Sequence, residues 1–310
     1  MRIVRTVAQI RAALAQPRRS GRSIGLVPTM GAFHEGHMSL IRQARERNDV
    51  VVVWLFVNPA QFNQSADLDR YPRDEERDAA LARDAGVDYV FAPSVSEVYP
   101  SGFVTSVSVA GLTDSLEGEH RGRSHFDGVT TVVAKMFNMV APDVAYFGQK
   151  DAQQAMVVRR MVRDLDMPVR IELCPIVRAQ DGLALSSRNV LLSADERRRA
   201  TALHRALVAV EQAVAAGERD PRAAVAPGLH ELATAGLTPE YLEIVSPETM
   251  TPVTTIDDDV LVVVAVCVGT TRLIDNTLIH DPRVAPAGAR TQTIHIDREV
   301  ATRYRAPTVA

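Results

Sequence analysis

The run Val50-Val-Val-Val-Trp-Leu-Phe-Val57 constrains the fold most. Eight apolar residues in succession leave no polar face, so the segment reads as a parallel strand covered on both sides. It stops abruptly at Asn58-Pro59, and the polar residues Gln61, Asn63 and Gln64 follow at once. In open α/β sheets, ligands collect beyond the carboxyl ends of such strands, which makes this boundary a candidate site. Further strands are predicted over 23–27, 87–92, 144–147 and 169–174. Helices are predicted over 6–16, from Met38 through Ala44, over 75–85 and over 152–165. Val129, Val132, Val133, Met136, Phe137 and Val140 fall at helical spacing and close at Pro142, a buried stripe. Strands alternating with helices through short connections imply a doubly wound parallel sheet, an α/β fold of Rossmann-like type.

The texture changes after residue 176. Ser193-Ala-Asp-Glu196 has capping-box spacing and opens a long Ala- and Arg-rich helix. A second helix is predicted over 221–235, with strands over 241–245 and 260–268. The expected organisation is therefore a first domain at 1–176, a smaller α+β domain at 177–282 serving as a lid, and a flexible tail at 283–310.

Lys+Arg 35 against Asp+Glu 38 gives a formal net charge of −3. Balanced charge offers no general attraction to nucleic acid or acidic membranes, so an anionic ligand needs a local positive site. Cys174 and Cys267 lie in apolar strand-like runs and read as buried free thiols of a cytoplasmic protein. The N-terminal residues lack the apolar stretch of a signal peptide, and no run of about twenty apolar residues exists to cross a membrane.

The stretch Val27-Pro-Thr-Met-Gly-Ala-Phe-His-Glu-Gly-His37 reads as strand end, glycine-bearing turn and helix start. His34 and His37, three apart, share one face of the first helical turn. That turn carries unpaired N–H groups and the positive end of the helix dipole, a seat for phosphate. On this stretch alone an anion seat and a pair of ordinary surface histidines both stay open. Zinc wants a third protein ligand, and none is spaced nearby. Neither a P-loop nor a dinucleotide fingerprint occurs, so a nucleotide would be held by this helix start and by scattered side chains.

His34-Glu-Gly-His37 after Pro28-Thr-Met-Gly31 resembles the HIGH-type signature of the nucleotidyltransferase superfamily. Phe56-Val-Asn-Pro-Ala-Gln-Phe62, Tyr71-Pro-Arg73, His125-Phe-Asp-Gly-Val129, Phe147-Gly-Gln-Lys-Asp151, Gln153-Gln154, Asp181-Gly-Leu-Ala-Leu-Ser-Ser-Arg-Asn189 and Gly269-Thr-Thr-Arg-Leu-Ile-Asp-Asn276 follow in order. Together they span about 23–280 and resemble the pantoate–β-alanine ligase (pantothenate synthetase) family. The resemblance implies ATP-dependent, Mg²⁺-assisted condensation of pantoate with β-alanine through a pantoyl adenylate, in a homodimer. It implies an ATP site lined by Met30, Gly31, Ala32, Phe33, His34, Glu35, Gly36, His37, Gly148, Gln149, Lys150, Asp151, Val177, Leu185, Ser186, Ser187 and Arg188. Catalytic roles fall to His37 as proton donor, to His34 and Lys150 on phosphate, and to Ser186, Ser187 and Arg188. Gln61 and Gln154 are expected to hold pantoate, Asn58 to lie beside the reacting groups, and Asp78 beside the metal. Three departures stand out from the family pattern: Arg77 before Asp78, Leu185 in place of Met, and a 117–125 loop one residue longer and without proline. A nucleotidyltransferase acting on a phosphorylated small molecule would share the histidine turn but has less use for Gln61 and Gln154; a non-catalytic nucleotide-sensing or RNA-binding protein on the same scaffold meets the balanced charge, which offers no basic stripe for a phosphodiester backbone.

Overall fold

The computed structural model describes residues 1–62, 68–69 and 71–280, together with the backbone of 294–296. Asn63 and Gln64 lie outside the described residues. The described residues form two compact units, Met1–Gly148 with Gln153–Cys174, and Gln149–Ala152 with the described residues from Pro175 onward.

The first unit contains β1 (Arg2–Val4), α1 (Val7–Arg19), β2 (Ile24–Thr29), α2 (Glu35–Arg47), β3 (Val50–Leu55), α3 (Glu75–Asp84) and β4 (Tyr89–Phe91). They are followed by α4 (Val95–Val98), α5 (Glu117–Arg121), α6 (Arg123–Val140), β5 (Val144–Gly148), α7 (Ala152–Asp164) and β6 (Arg170–Cys174). The six strands form one sheet in the order β1-β4-β3-β2-β5-β6, and every pairing is parallel. β3 is central and buried from Val50 through Trp54, as its unbroken apolar run requires. Its alternate residues Val50, Val52 and Trp54 join the core with Leu14 of α1 and with Val133, Met136 and Phe137 of α6. Val51 and Val53 point the other way and are equally buried. The chain steps from β2 to β3 and β4 on one side, then to β5 and β6 on the other, so the order reverses between β2 and β5. A crevice opens at such a reversal beyond the strand ends.

Three details depart from the sequence reading. β1 adds an edge strand that the sequence reading lacks; its three residues carry no apolar run. α6 starts at Arg123, six residues before the apolar stripe. In the altered 117–125 loop, Arg121 turns back onto Glu117, with Nε donating over 3.0 Å, and Gly122 takes φ +77° between two helices.

The second unit contains β7 (Val177–Ala179), a 3-10 turn at Ser187–Leu191, α8 (Ala194–Ala200), α9 (Ala202–Ala215), α10 (Pro221–Thr234), β8 (Pro239–Val245), β9 (Val260–Val268) and β10 (Thr271–Ile279). The helix predicted from Ser193 breaks at Thr201 into α8 and α9. β10, which the sequence reading does not assign, forms an antiparallel hairpin with β9 through Gly269 at φ +59° and completes a three-stranded β10-β9-β8 sheet. Leu203, Leu207 and Val210 of α9 pack with Val262, Val264 and Val266 of β9 in a second core. Cys174 is buried as expected, but Cys267 is exposed: it occupies the one outward position of β9, where its thiol lies 3.3 Å from Glu240 Oε1. Most of the expected tail, 283–310, lies outside the described residues. Ile294–Ile296 depart from that expectation by forming β11, paired in parallel with Val177–Ala179. Among the described residues no helix is long and apolar enough to cross a membrane.

Candidate active site

The turn after β2 is built by its own side chains. Gly31 takes φ +89° and Ala32 φ +53°, a left-handed pair that an L-residue such as Ala32 enters only under outside restraint. Asp78, on α3, supplies that restraint. Its Oδ2 accepts from Ala32 N at 2.7 Å and its Oδ1 from Phe33 N at 2.8 Å. Arg77 adds a third tie, with Nη2 donating to the Phe33 carbonyl over 3.2 Å. Burial raises the Asp78 carboxyl above the ordinary carboxylate value, and the two backbone bonds and Arg77 counter it only in part.

His34 then caps α2. Its Nδ1 accepts from Gly36 N at 3.1 Å, and the Nδ1 of His37 accepts from His34 N at 3.3 Å, a reciprocal capping box made of two imidazoles in place of Ser/Thr and Glu. A ring nitrogen that accepts a hydrogen bond carries no proton, so in this geometry a neutral ring holds its N–H at Nε2. The rings lie 4.1 Å apart between centroids, and Phe33, 1% exposed, backs His37 at 5.6 Å. Gly36 is obligatory for this arrangement: a Cβ there would stand 2.8–2.9 Å from the His34 imidazole. The spacing His-x-Gly-His thus yields two tautomerically defined donors at the positive end of a helix.

A second cluster follows β3. Asn58 is 1% exposed. Its Nδ2 donates to Gln61 Oε1 and to Gly128 O, both at 3.1 Å, and its Oδ1 accepts from Tyr99 Oη at 2.7 Å and from Ala60 N at 3.3 Å. Both donors and both lone pairs are therefore used inside the protein. His125 Nδ1 meets Gln61 O at 2.7 Å. Gly128 lets α6 approach so closely that a Cβ would lie 2.2 Å from Ala60 O. Gln61 also donates to Met30 Sδ over 3.1 Å, which joins this cluster to the histidine turn. Gln154 sits half-buried on the first turn of α7. Its neighbour Gln153 is buried and holds the 112–117 segment through Leu112 O, Ser115 O and Glu117 N. Gly148 ends β5 with open space at its missing Cβ.

In the second unit, Lys150, Ser186 and Arg188 line one small crevice together with Asp275. Ser186 caps the 3-10 turn, its Oγ accepting from Arg188 N at 3.3 Å. Lys150 Nζ lies 3.6 Å from Asp151 Oδ1. Two cations and a hydroxyl lining one crevice suit phosphate oxygens. Ser187 does not line that crevice, although it begins the same turn. Gln149 and Val177 are buried, and Leu185 N donates to Val177 O over 3.0 Å.

Two expected roles change. Asp78 does not fit a metal ligand, because both its oxygens are committed to backbone N–H groups and it is 1% exposed. Among the described residues no group of three His, Cys, Asp or Glu side chains is arranged to hold a metal ion. Asn58 has no donor or lone pair left for a substrate and instead fixes Gln61. Arg77, Gln153, His125 and Gly128 carry supporting roles that spacing does not reveal, since each acts on a backbone group distant in sequence.

A parallel sheet whose reversal point opens on a histidine-capped helix start defines a Rossmann-like α/β protein of the nucleotide-handling class. The model of the pantoate–β-alanine ligase family matches residues 2–278, and the chain belongs to that family. It is 53% identical over 283 residues to a pantothenate synthetase of Moorella thermoacetica, covering 90% of this chain and 99% of the relative. It is 49% identical over 280 residues to that of Acetivibrio thermocellus, with the same coverage. A crystal structure of pantothenate synthetase from Thermus thermophilus superposes with a TM-score of 0.84 at 49% identity, covering 89% of this chain and 99% of that one. A pantoate–β-alanine ligase from Francisella tularensis, complexed with β,γ-ATP and β-alanine, superposes at 0.72 with 32% identity, over 90% and 97% of the two chains.

Proposed function

We propose that the chain condenses pantoate with β-alanine at the expense of ATP. The reaction runs in two steps. The pantoate carboxylate attacks the α-phosphorus, the bond from that phosphorus to the bridging oxygen breaks, and pyrophosphate leaves. The neutral β-alanine amine then attacks the acyl carbon of the pantoyl adenylate. The acyl C–O bond breaks, AMP departs and the nitrogen loses a proton. No Ser or Cys nucleophile is needed, because the mixed anhydride is itself the activated acyl donor.

The observation that carries this reading is the His34/His37 capping box. It presents two Nε2–H donors at a helix N-terminus, where negative charge developing on phosphate is stabilised without reorganisation. His37 donates toward the departing pyrophosphate and His34 binds phosphate. The ATP-binding set continues through Met30–His37, Gly148–Asp151, Val177 and Leu185–Arg188. Lys150, Ser186 and Arg188 supply a second anion-binding group, with Ser187 adding a hydroxyl from the same turn. Gln61, fixed by Asn58 and Met30, and Gln154 bind the pantoate hydroxyls and carboxylate. Mg²⁺ enters as part of the Mg·ATP substrate, where it screens phosphate charge. The unit from Pro175 onward, with its α+β sheet, is the C-terminal domain of the enzyme. The family resemblance supports a homodimer, and the unpaired thiol of Cys174 supports a cytoplasmic location.

Product analysis tests the assignment. Incubation with ATP, pantoate and β-alanine should yield equimolar AMP and pantothenate by mass spectrometry. A stable nucleotide conjugate, or ADP in place of AMP, would overturn it.

A further inference from the structure

The segment Gly269–Asn276 turns into and runs along β10. Its last two residues occupy an unusual position. Asn276 is 3% exposed and turns its amide onto the turn after β5: Nδ2 donates to Gln149 O at 2.9 Å and to Lys150 O at 3.0 Å, while Oδ1 accepts from Gln149 Nε2 at 3.3 Å. Both donors are thus spent on the backbone that carries Lys150. Asp275, also 3% exposed, faces the other way and forms a bidentate pair with Arg178, at 2.5 and 3.0 Å. Arg178, on β7, donates onward to Gly182 O at 3.2 Å. Gly182, at φ +87°, heads the turn that returns the chain to Ala184 and Leu185, directly before Ser186. One dipeptide on β10 therefore grips two loops from opposite sides. One loop carries Lys150, the other Ser186 and Arg188, and these three side chains line the same crevice as Asp275.

The geometry points to Asp275-Asn276 as a positioning device that sets the Lys150 ammonium against the Ser186–Arg188 turn. This inference rests on the reading of Lys150 as a phosphate ligand. A buried, bidentate carboxylate–guanidinium pair and a saturated amide have few alternative arrangements, so they define the separation of the loops more sharply than apolar packing does. A planar amide with two donors is also the one uncharged side chain that can hold two successive carbonyls at once. Both are spent on protein partners, Asp275 on Arg178 and Asn276 on the Gln149–Lys150 backbone. They act through Lys150 and Arg188, and displacement of such groups by about 1 Å costs on the order of 100-fold in rate.

A double-mutant cycle separates positioning from mere stabilisation. Pyrophosphate–ATP exchange is measured for the full chain, for Asn276→Ala, for Lys150→Met and for the double variant, together with the thermal midpoint of each. Lys150→Met should itself depress exchange strongly. Asn276→Ala should lower kcat/KM for ATP by about 100-fold in the parent while leaving KM for pantoate unchanged. In the Lys150→Met background the same substitution should lower it by no more than about twofold, since the group it positions is gone. The drop in thermal midpoint should be equal in both backgrounds. Rate losses that multiply, or no loss on Asn276→Ala, would overturn the positioning role while leaving the Lys150 reading intact. An unaffected Lys150→Met variant would overturn both. Should Asn276→Ala fail to fold, Asn276→Ser keeps one donor and permits the same comparison, with the same outcomes deciding.

Discussion

Replacing Asp78 tests whether the histidine turn is held by a carboxylate or organised around a metal. The carboxylate accepts two backbone N–H bonds, from Ala32 at 2.7 Å and Phe33 at 2.8 Å, in a site that is 1% exposed. Asp78→Ala leaves both donors buried and unpaired, at about 1–3 kcal/mol each. It also removes a carboxylate whose burial is only partly repaid, because its pKa is raised. The net loss of stability should therefore fall near the lower half of that sum, about 2–4 kcal/mol. Asp78→Asn keeps the shape and one acceptor but aims an NH₂ at the other N–H, so it should lose about 1–3 kcal/mol. Acid titration adds a sign. A carboxyl whose folded pKa lies above its unfolded value favours the folded state on protonation, and that contribution disappears as pH rises through the folded value. Asn does not titrate, so the deficit of Asp78→Asn relative to the parent should widen as pH falls through the carboxylate range. Urea unfolding at several pH values, followed by tryptophan fluorescence and circular dichroism, measures all three quantities. An Asp78→Asn variant as stable as the parent, or an Asp78→Ala variant with parental stability and a changed metal requirement, would refute the reasoning.

Two close approaches give further outcomes. Gly36→Ala puts a methyl 2.8–2.9 Å from the His34 ring and should break the capping box, lowering pyrophosphate exchange at least about tenfold and stability by about 1 kcal/mol. Parental exchange would show that the capped geometry is dispensable. Gly128→Ala drives a methyl to 2.2 Å from Ala60 O, which must shift the Asn58–Gln61 cluster; KM for pantoate should rise about tenfold or more with KM for ATP little altered. Equal changes in both constants would detach Gln61 from pantoate.

The double winding of the sheet was legible in the sequence wherever burial was two-sided or periodic. Val50–Val57 is apolar throughout and opens on four β-branched residues, as a strand covered on both faces requires, and the stripe Val129–Val140 keeps a helical period. β1 escaped because an edge strand of three residues needs no apolar run, and β10 because Arg272, Asp275 and Asn276 give it the texture of a polar loop. The partners of those three side chains, Glu240, Arg178 and the carbonyls of Gln149 and Lys150, are far away in sequence. Cys267 was misread because an apolar run does not say which strand residue faces out. In the site, residue types mark candidate anion-binding loops but do not separate contact from support. Asn58 and Asp78 look like ligands in a motif; only their saturated hydrogen bonds identify them as parts of the frame that carries Gln61 and the histidine turn.

If His34 and His37, held as Nε2–H donors, assist attack of pantoate on the α-phosphorus, their loss must slow the first half-reaction. Pyrophosphate–ATP exchange without β-alanine measures that step alone. Exchange should require pantoate and fall about 100-fold or more in His37→Ala, with a thermal midpoint close to the parental one. Exchange that proceeds without pantoate, or that survives His37→Ala undiminished, would contradict this assignment.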